Sequence, residues 1–181
     1  MTSEADRVVL LRLARDAITA HVQRRAFPDP PLVGSLSVQR GAFVTLHTNG
    51  ALRGCIGHIE ADDAIGRVIP RCAVSACSAD SRFAAITEIE LSVLAIELSL
   101  LGPLVPISES YDIQIGRDGL VVELGWRRGL LLPQVATEWK WNREAFLAHT
   151  CQKAGLPRDA WQKGARLWRF EAEVFSEPAP G

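Results

Sequence analysis

Residues 41–57 read GAFVTLHTNGALRGCIG and contain the clearest structural signal in this chain. Two runs of strand-forming residues flank Asn49-Gly50, a dipeptide typical of a two-residue hairpin turn. We therefore predict an antiparallel hairpin of residues 41–48 and 52–59. A regular returning strand would place its side chains on two faces. One face would hold Leu52, Gly54 and Ile56, and the other Arg53, Cys55 and Gly57.

The same stretch contains the main candidate for chemistry, the thiol of Cys55. On a regular strand Arg53 is its same-face neighbour, and a nearby positive charge favours the reactive thiolate. Gly54 and Gly57 would leave backbone N–H groups open to an anion or an oxyanion. We predict that Cys55 is a nucleophile or a covalent attachment point, with Arg53 as the assisting cation. The alternative is a small thiol that fills a tight strand crossing, with both glycines present for packing.

Outside the hairpin, helix and strand patterns follow one another without the regular order of a parallel sheet. Apolar spacing and capping residues predict helices at residues 3–25, 62–79, 133–138 and 142–154, with Asp62 as the second helix's cap and a kink or break at Pro70. Alternation predicts strands at residues 89–101, 112–115, 120–124, 130–132 and 167–175. We predict an α+β fold with a mainly antiparallel sheet flanked by helices.

Composition narrows the class of protein. The chain has 181 residues, 48% of them hydrophobic, and a formal net charge of -1. It lacks the basic excess of a nucleic-acid binder and the long apolar run of a membrane span. With no signal-peptide pattern, we expect a cytoplasmic protein with no membrane partner. The four cysteines have no C-x-x-C spacing, so we expect free thiols, with Cys72 and Cys77 buried.

A thiol nucleophile usually needs a base, and four histidines are available: His21, His47, His58 and His149. His47 lies in the partner strand of the hairpin and is expected near Cys55, whereas His58 is expected on the opposite face. Glu97 and Ser99, on the less apolar face of their strand, are expected either to line the same cleft or to form a solvated face.

Two further polar positions are candidates for binding. Asp80 and Arg82 could form an ion pair that shapes a loop, or they could bind a ligand. Gln134, near the start of a predicted helix, could orient a substrate or cap the helix.

The sequence indicates no metal and no cofactor. A zinc site from Cys55, His58, Cys72 and Cys77 would need four ligands to converge without paired spacing. The chain contains no P-loop, no dinucleotide-binding glycine pattern and no cysteine triplet for an iron–sulfur cluster. We expect no structural metal, and we do not expect a radical-SAM enzyme.

Five segments in order resemble the AMMECR domain family, also called AmmeMemoRadiSam system protein A. They are residues 41–46, the hexapeptide at 52–57, residues 80–83, residues 129–136 and residues 151–157. The hexapeptide is the signature of that family. The chain differs at Ser81, where the family usually has proline, and at His58, where it usually has a small polar residue.

The resemblance implies a larger and a smaller lobe, with a cleft that includes the signature. We interpret residues 1–177 as one AMMECR-type domain. Its larger lobe would hold the Cys55 hairpin and strand 89–101, and its smaller lobe would lie within residues 107–142. A frayed tail would follow at 178–181. The resemblance also implies an association with Memo-like and radical-SAM proteins.

The resemblance does not fix an activity, and two functions stay open. The first is a cysteine-dependent enzyme or modifying factor that acts on a small anionic or acyl substrate. The second is a non-catalytic adaptor whose cleft holds a peptide or a partner protein. Tryptophans at positions 126, 139 or 141 on an exposed surface would favour the adaptor.

Overall fold

A computed structural model describes residues 2–178, and these residues form two compact units. The first unit runs to Leu101 and resumes at Glu173, and the second spans Gly102–Ala172. Helices accompany antiparallel strands in both units, which confirms the predicted α+β class with a larger and a smaller lobe. The assignment of residues 1–177 to one domain stays a prediction. Residues 179–181 of the predicted tail lie outside the described residues.

The first unit contains two helices and a sheet. Its elements are α1 (Glu4–Val22), β1 (Ala42–Thr48), β2 (Ala51–His58), α2 (Ile65–Ser78), β3 (Leu94–Leu101) and the end of β7 (Arg166–Ser176). The strand order is β2-β1-β3, with β2 at the edge. Ser3 caps α1 as its sequence predicts, because its Oγ accepts a hydrogen bond from the Asp6 N–H at 3.2 Å.

The hairpin prediction is confirmed, with one irregularity. Asn49 and Gly50 both have positive φ, at 52° and 78°, as a type I′ turn requires. Thr48 pairs with Ala51, and the register then shifts, so that Leu46 pairs with Gly54 and Arg53 is an extra residue. This β-bulge places Leu52 on the same face as Cys55. The prediction of a regular strand with Arg53 and Cys55 side by side is therefore wrong.

The bulge brings the apolar side chains of β1 and β2 onto the same face of the sheet. With the two-residue turn alone, they would lie on opposite faces. The bulge sets Gly54 opposite Leu46 and Ile56 opposite Val44. The core of the unit lies on that face, under α1 and α2. Its largest fully buried side chains are Leu10, Ile18, Leu46, Ile69, Leu94, Ile96, Leu98 and Leu100.

Three local predictions in this unit need correction. The strand predicted at 89–101 begins at Leu94, because Thr87 and Glu90 form a capping box that starts a 3₁₀ helix at Glu88–Ser92. Helix α2 begins after Ala64 rather than at an Asp62 cap, because Asp62 bonds to His58. The helix also continues through Pro70 without a break.

The second unit is built on a sheet of four strands. Its elements are β4 (Val105–Pro106), β5 (Asp118–Leu124), β6 (Arg127–Leu131), α3 (Pro133–Glu138), α4 (Arg143–Lys153) and the start of β7. Asn142 caps α4, and Gly155, at φ 71°, follows its end. The strand predicted at 112–115 is wrong, because a 3₁₀ helix ends at Asp112 and an irregular segment and a turn follow it up to β5.

The second unit extends beyond residues 107–142, the range predicted for the smaller lobe. The reason is that Phe146, Leu147 and Cys151 of α4 share a core with Leu120 and Val122 of β5. None of the helices in residues 2–178 has the length and hydropathy that a membrane crossing needs.

Candidate functional site

The face of the first unit's sheet that is opposite to α1 and α2 carries the candidate residues. Cross-strand partners share a face, and Thr45 of β1 pairs with Cys55 on one side and with Glu97 on the other. The next row holds Gly57, Phe43 and Ser99, and the row after Thr45 holds Leu52, His47 and Ala95. The predicted grouping of Cys55 with Glu97 and Ser99 on one face therefore agrees with the register.

Two short contacts fix Cys55. Its Sγ lies 3.3 Å from the Thr45 hydroxyl oxygen, a hydrogen bond in which either group can donate. Its backbone N–H points out of the sheet edge and donates to Oδ2 of Asp80 at 2.9 Å. The thiol is half-buried, whereas Cys72, Cys77 and Cys151 are buried. Burial raises the pKa of both Cys72 and Cys77 to about 11, so these two thiols stay protonated near neutral pH.

Asp80 connects Cys55 to a cation. Its buried carboxylate accepts from the Arg82 guanidinium at 2.8 and 3.0 Å and from the Arg82 backbone N–H at 3.2 Å. The Arg82 bonds, aided by the Cys55 N–H, hold the pKa of Asp80 well below its usual range despite burial. The predicted Asp80–Arg82 ion pair is therefore present, and it is attached to the strand that carries Cys55.

Arg82 is the cation that Asp80 links to the Cys55 strand. Its hydrogen bonds to Asp80 raise the pKa of the guanidinium, against the effect of partial burial, and negative charge on Cys55 raises it further. The guanidinium and the thiol are thus within electrostatic reach of each other. About half of the Arg82 side chain is exposed, so its remaining N–H donors face solvent.

Arg53 has a different role from the one predicted. Its guanidinium donates to Glu90 at 2.8 Å and to the carbonyl oxygens of Ala84 and Ala85 at 2.6 and 3.3 Å. These bonds attach the segment after Arg82 to the edge of β2. The charge of Arg53 is compensated by Glu90 rather than directed at the thiol, because the bulge removes Arg53 from the regular alternation.

Packing accounts for both glycines of the signature. A Cβ on Gly54 would lie 2.2 Å from the carbonyl oxygen of Ala76, so α2 can approach β2 only at a glycine. A Cβ on Gly57 would lie 2.3 Å from the Phe43 ring, which occupies the space above that residue. This agrees with the packing alternative for these residues and assigns them no direct contact with a ligand.

Comparisons with known proteins agree with this fold. The AMMECR1 family model matches residues 11–175. The chain belongs to the AMMECR1 family. A relative from Methanothermobacter thermautotrophicus is 42% identical over 93% of this chain and 92% of its own. Protein MJ0810 of Methanocaldococcus jannaschii is 44% identical over 78% and 75% of the two chains. A crystal structure of protein PH0010 from Pyrococcus horikoshii has a TM-score of 0.89, with 38% identity over 95% of this chain and 91% of that one.

In this AMMECR1-family chain the histidines take separate positions. His47 lies on the Cys55 face, one row beyond Thr45, as expected. His58 pairs with the buried Ala42 on the opposite face, and its Nε2 lies 2.6 Å from Oδ1 of Asp62. His149 stacks on Trp141 in the second unit, with ring centroids 3.9 Å apart. Burial, with Arg158, lowers the pKa of His149.

Gln134 belongs to the second unit, in the first turn of α3. Its Oε1 is buried without a hydrogen-bond partner among residues 2–178, and so is Oγ of Ser99 in the first unit. Gln134 therefore does not cap its helix through that oxygen. Ligand binding by Gln134 or by Ser99 stays a prediction.

Within the described part of the chain, no three His, Cys, Asp or Glu side chains lie close enough together to hold a metal ion. The chemistry that the site can offer is that of a thiol, a hydroxyl, a carboxylate and a guanidinium.

Sequence reasoning missed two participants of this AMMECR1-family site, Thr45 and the Asp80 bond to the Cys55 N–H. Thr45 could have been found by matching the apolar faces of the hairpin strands, which requires an extra residue in β2. No sequence signal marks the Asp80 contact, because it joins a loop to a strand edge 25 residues away.

Proposed function

We propose that this protein is a cysteine-dependent enzyme or modifying factor that acts on a small anionic or acyl substrate. The observation that carries the proposal is the buried Asp80, which binds both the Cys55 backbone N–H and the Arg82 guanidinium. Through this link Arg82 supplies a half-exposed guanidinium that can donate to the anionic group of a substrate.

The roles divide among four side chains. Cys55 supplies the nucleophile, and Arg82 binds the anionic group and stabilises negative charge at the thiol. Asp80 and Arg53 are positioning residues, because each fixes the 80–85 segment to β2. Thr45 orients the sulfur through its hydroxyl, and Glu97 lies beyond Thr45 in the same row.

The partners and location proposed for the protein follow from its family resemblance. We expect it to work in the cytoplasm with Memo-like and radical-SAM proteins. The unknown substrate would be a small molecule or a peptide group that such a system makes or consumes.

The test is competitive alkylation with iodoacetamide and with iodoacetate, which carries a carboxylate. We expect both reagents to modify Cys55 faster than Cys72, Cys77 or Cys151 near neutral pH. Because Arg82 attracts the anionic reagent, Arg82→Ala should reduce the iodoacetate rate at Cys55 at least about threefold more than the iodoacetamide rate. Peptide mass spectrometry gives the rate at each cysteine.

Two variants serve as controls for this test. Arg12 on α1 is exposed, as Arg82 is, and Arg12→Ala should leave both rates unchanged. Arg53→Ala should slow labelling only to the extent that the 80–85 segment moves. Equal labelling of Cys55 and the buried cysteines, or no effect of Arg82→Ala on the reagent preference, would refute the proposal.

A second function, that of an adaptor, is favoured by one specific observation. Trp126 is 88% exposed and Trp139 is 67% exposed, and large aromatic side chains on a surface mark binding sites more often than chance positions. The adaptor would hold a peptide or a partner protein. It does not require a reactive thiol.

A further inference from the structure

The turn between β5 and β6 and the end of α4 form a cavity in the second unit. The cavity has a volume of about 440 Å³. Its lining consists of Trp126, Arg127, Arg128, Lys153, Ala154 and Gly155, and we call it the turn–helix cavity. The lining contains three cationic side chains and no carboxylate.

The two walls of the turn–helix cavity are held closely together. A Cβ on Gly129 would lie 2.4 Å from the backbone nitrogen of Ala154, so β6 and α4 meet at a glycine. Arg127 strengthens the same junction by donating to the carbonyl oxygen of Gly155 at 2.7 Å. The cavity is therefore formed before any ligand binds, which lowers the entropic cost of binding.

Two of the three cationic side chains that line the cavity, Arg127 and Lys153, have no carboxylate partner among residues 2–178. Arg127 uses one guanidinium bond for Gly155. Nearby, Arg128 and Arg166 share the carboxylate of Glu123. Burial, and to a lesser degree the charge of Arg166, lower the pKa of Arg128.

An exposed aromatic ring completes the cavity. The Arg127 guanidinium lies 5.2 Å from the centroid of the Trp126 ring, so the two side chains form one surface. Trp and Arg side by side are the residue types that most often dominate binding energy at protein interfaces.

We propose that the turn–helix cavity binds an acidic peptide segment of a partner protein. Carboxylates of the segment would pair with Arg127 and Lys153, and an apolar side chain would pack on Trp126. A peptide fits better than a nucleic acid, because the chain has a net charge of -1 and the cations form one small cluster rather than a long track. This gives the adaptor function a location and a ligand class, and it does not depend on Cys55.

The test measures fluorescence anisotropy of a fluorescein-labelled synthetic peptide in which glutamates flank a central phenylalanine. The wild-type protein should bind this peptide, and added salt should weaken the binding. Arg127→Glu combined with Lys153→Glu should weaken it at least about tenfold, and Trp126→Ala about threefold or more. A peptide with lysines in place of the glutamates should not bind.

Matched variants make the result specific. Arg12→Glu combined with Arg25→Glu changes the net charge equally on the first unit and should leave binding unchanged. Cys55→Ser should also retain it, so that failure of this proposal and failure of the thiol chemistry are separate results. Lack of binding, or equal binding by the Arg127/Lys153 double variant, overturns the proposal. Tighter binding of single-stranded oligothymidylate that is lost in the double variant also overturns it, in favour of a nucleic acid.

Discussion

Asp80 serves two neighbours with one carboxylate. It accepts the backbone N–H of Cys55, which would otherwise be an open donor at the sheet edge, and it binds Arg82 through both oxygens. A neutral amide at this position could satisfy the N–H, but it would place an amide group against the guanidinium. The residue therefore contributes both to the stability of the segment and to the charge beside the thiol.

Asp80→Asn should lower the free energy of unfolding at neutral pH by about 1–3 kcal/mol, because buried donors lose an ionised acceptor. The folded-state pKa of Asp80 lies below its unfolded value, so this stabilisation is present above about pH 4 and is lost as the pH falls further. Urea denaturation of both proteins at several pH values measures it. A difference that grows on acidification would contradict the ion-pair assignment.

At the scale of elements, two glycines of β2 allow close approaches within the first unit. Gly54 faces the backbone of α2, whereas Gly57 faces the side chain of Phe43. The distinction matters because a side chain can rotate or be shortened, and a helix backbone can yield only if the whole element shifts.

Gly54→Ala and Gly57→Ala should both destabilise the protein, by about 1–3 kcal/mol or more, because each added methyl group overlaps a neighbour. Only Gly57→Ala should be rescued by shortening the side chain that the added methyl group would overlap. Phe43→Leu combined with Gly57→Ala should be more stable than the sum of the single changes predicts, whereas no side-chain truncation should rescue Gly54→Ala. Thermal unfolding of the wild type, Phe43→Leu, Gly57→Ala and the double variant gives the coupling free energy between positions 43 and 57. Full rescue of Gly54→Ala by truncation of Leu46 would show that the helix is not the obstacle.

The hairpin shows how far sequence alone determined the fold and where it stopped. Asn49-Gly50 located the turn, and the positions predicted for His47, Glu97 and Ser99 agree with the face that carries Cys55. The predicted position of Arg53 is wrong, because strict alternation of side chains does not hold where β2 has an extra residue. The sequence does contain a sign of the extra residue, because the apolar positions of the two hairpin strands match only if β2 has one more residue than β1. The contacts of Arg53 and Asp80 could not be predicted, since they depend on the path of a loop.

At the scale of the whole molecule, the chain leaves the first unit at Gly102 and returns to it at Glu173. Two carboxylates fix the returning segment. Glu173 accepts from Arg40 at 3.0 Å and from the Thr2 N–H at 2.9 Å, and Glu177 pairs with Arg15 and accepts from the Ile96 N–H at 3.1 Å. Both ends of the described chain therefore meet on the first unit.

Glu173→Gln should make the protein less sensitive to moderately acidic conditions, while lowering its stability at neutral pH. Burial alone would raise the pKa of Glu173, but Thr2 and Arg40 lower it to about 2. The ionised form thus contributes up to about 3 kcal/mol above the unfolded pKa, and this contribution is lost between about pH 4.5 and 2. Unfolding curves across that range should converge for the wild type and the variant. Glu138→Gln, at an exposed position of α3, should track the wild type throughout.

The irregular edge of β2 also bears on how copies of this chain behave at high concentration. A flat outer strand with open N–H and C=O groups invites a strand of another molecule to add to it, which is a common route to aggregation. Here the extra residue at Arg53 interrupts the flat geometry, and the Asp80 carboxylate occupies the donor of Cys55. The contacts that shape the thiol site thus also hinder the addition of a foreign strand at this part of the β2 edge.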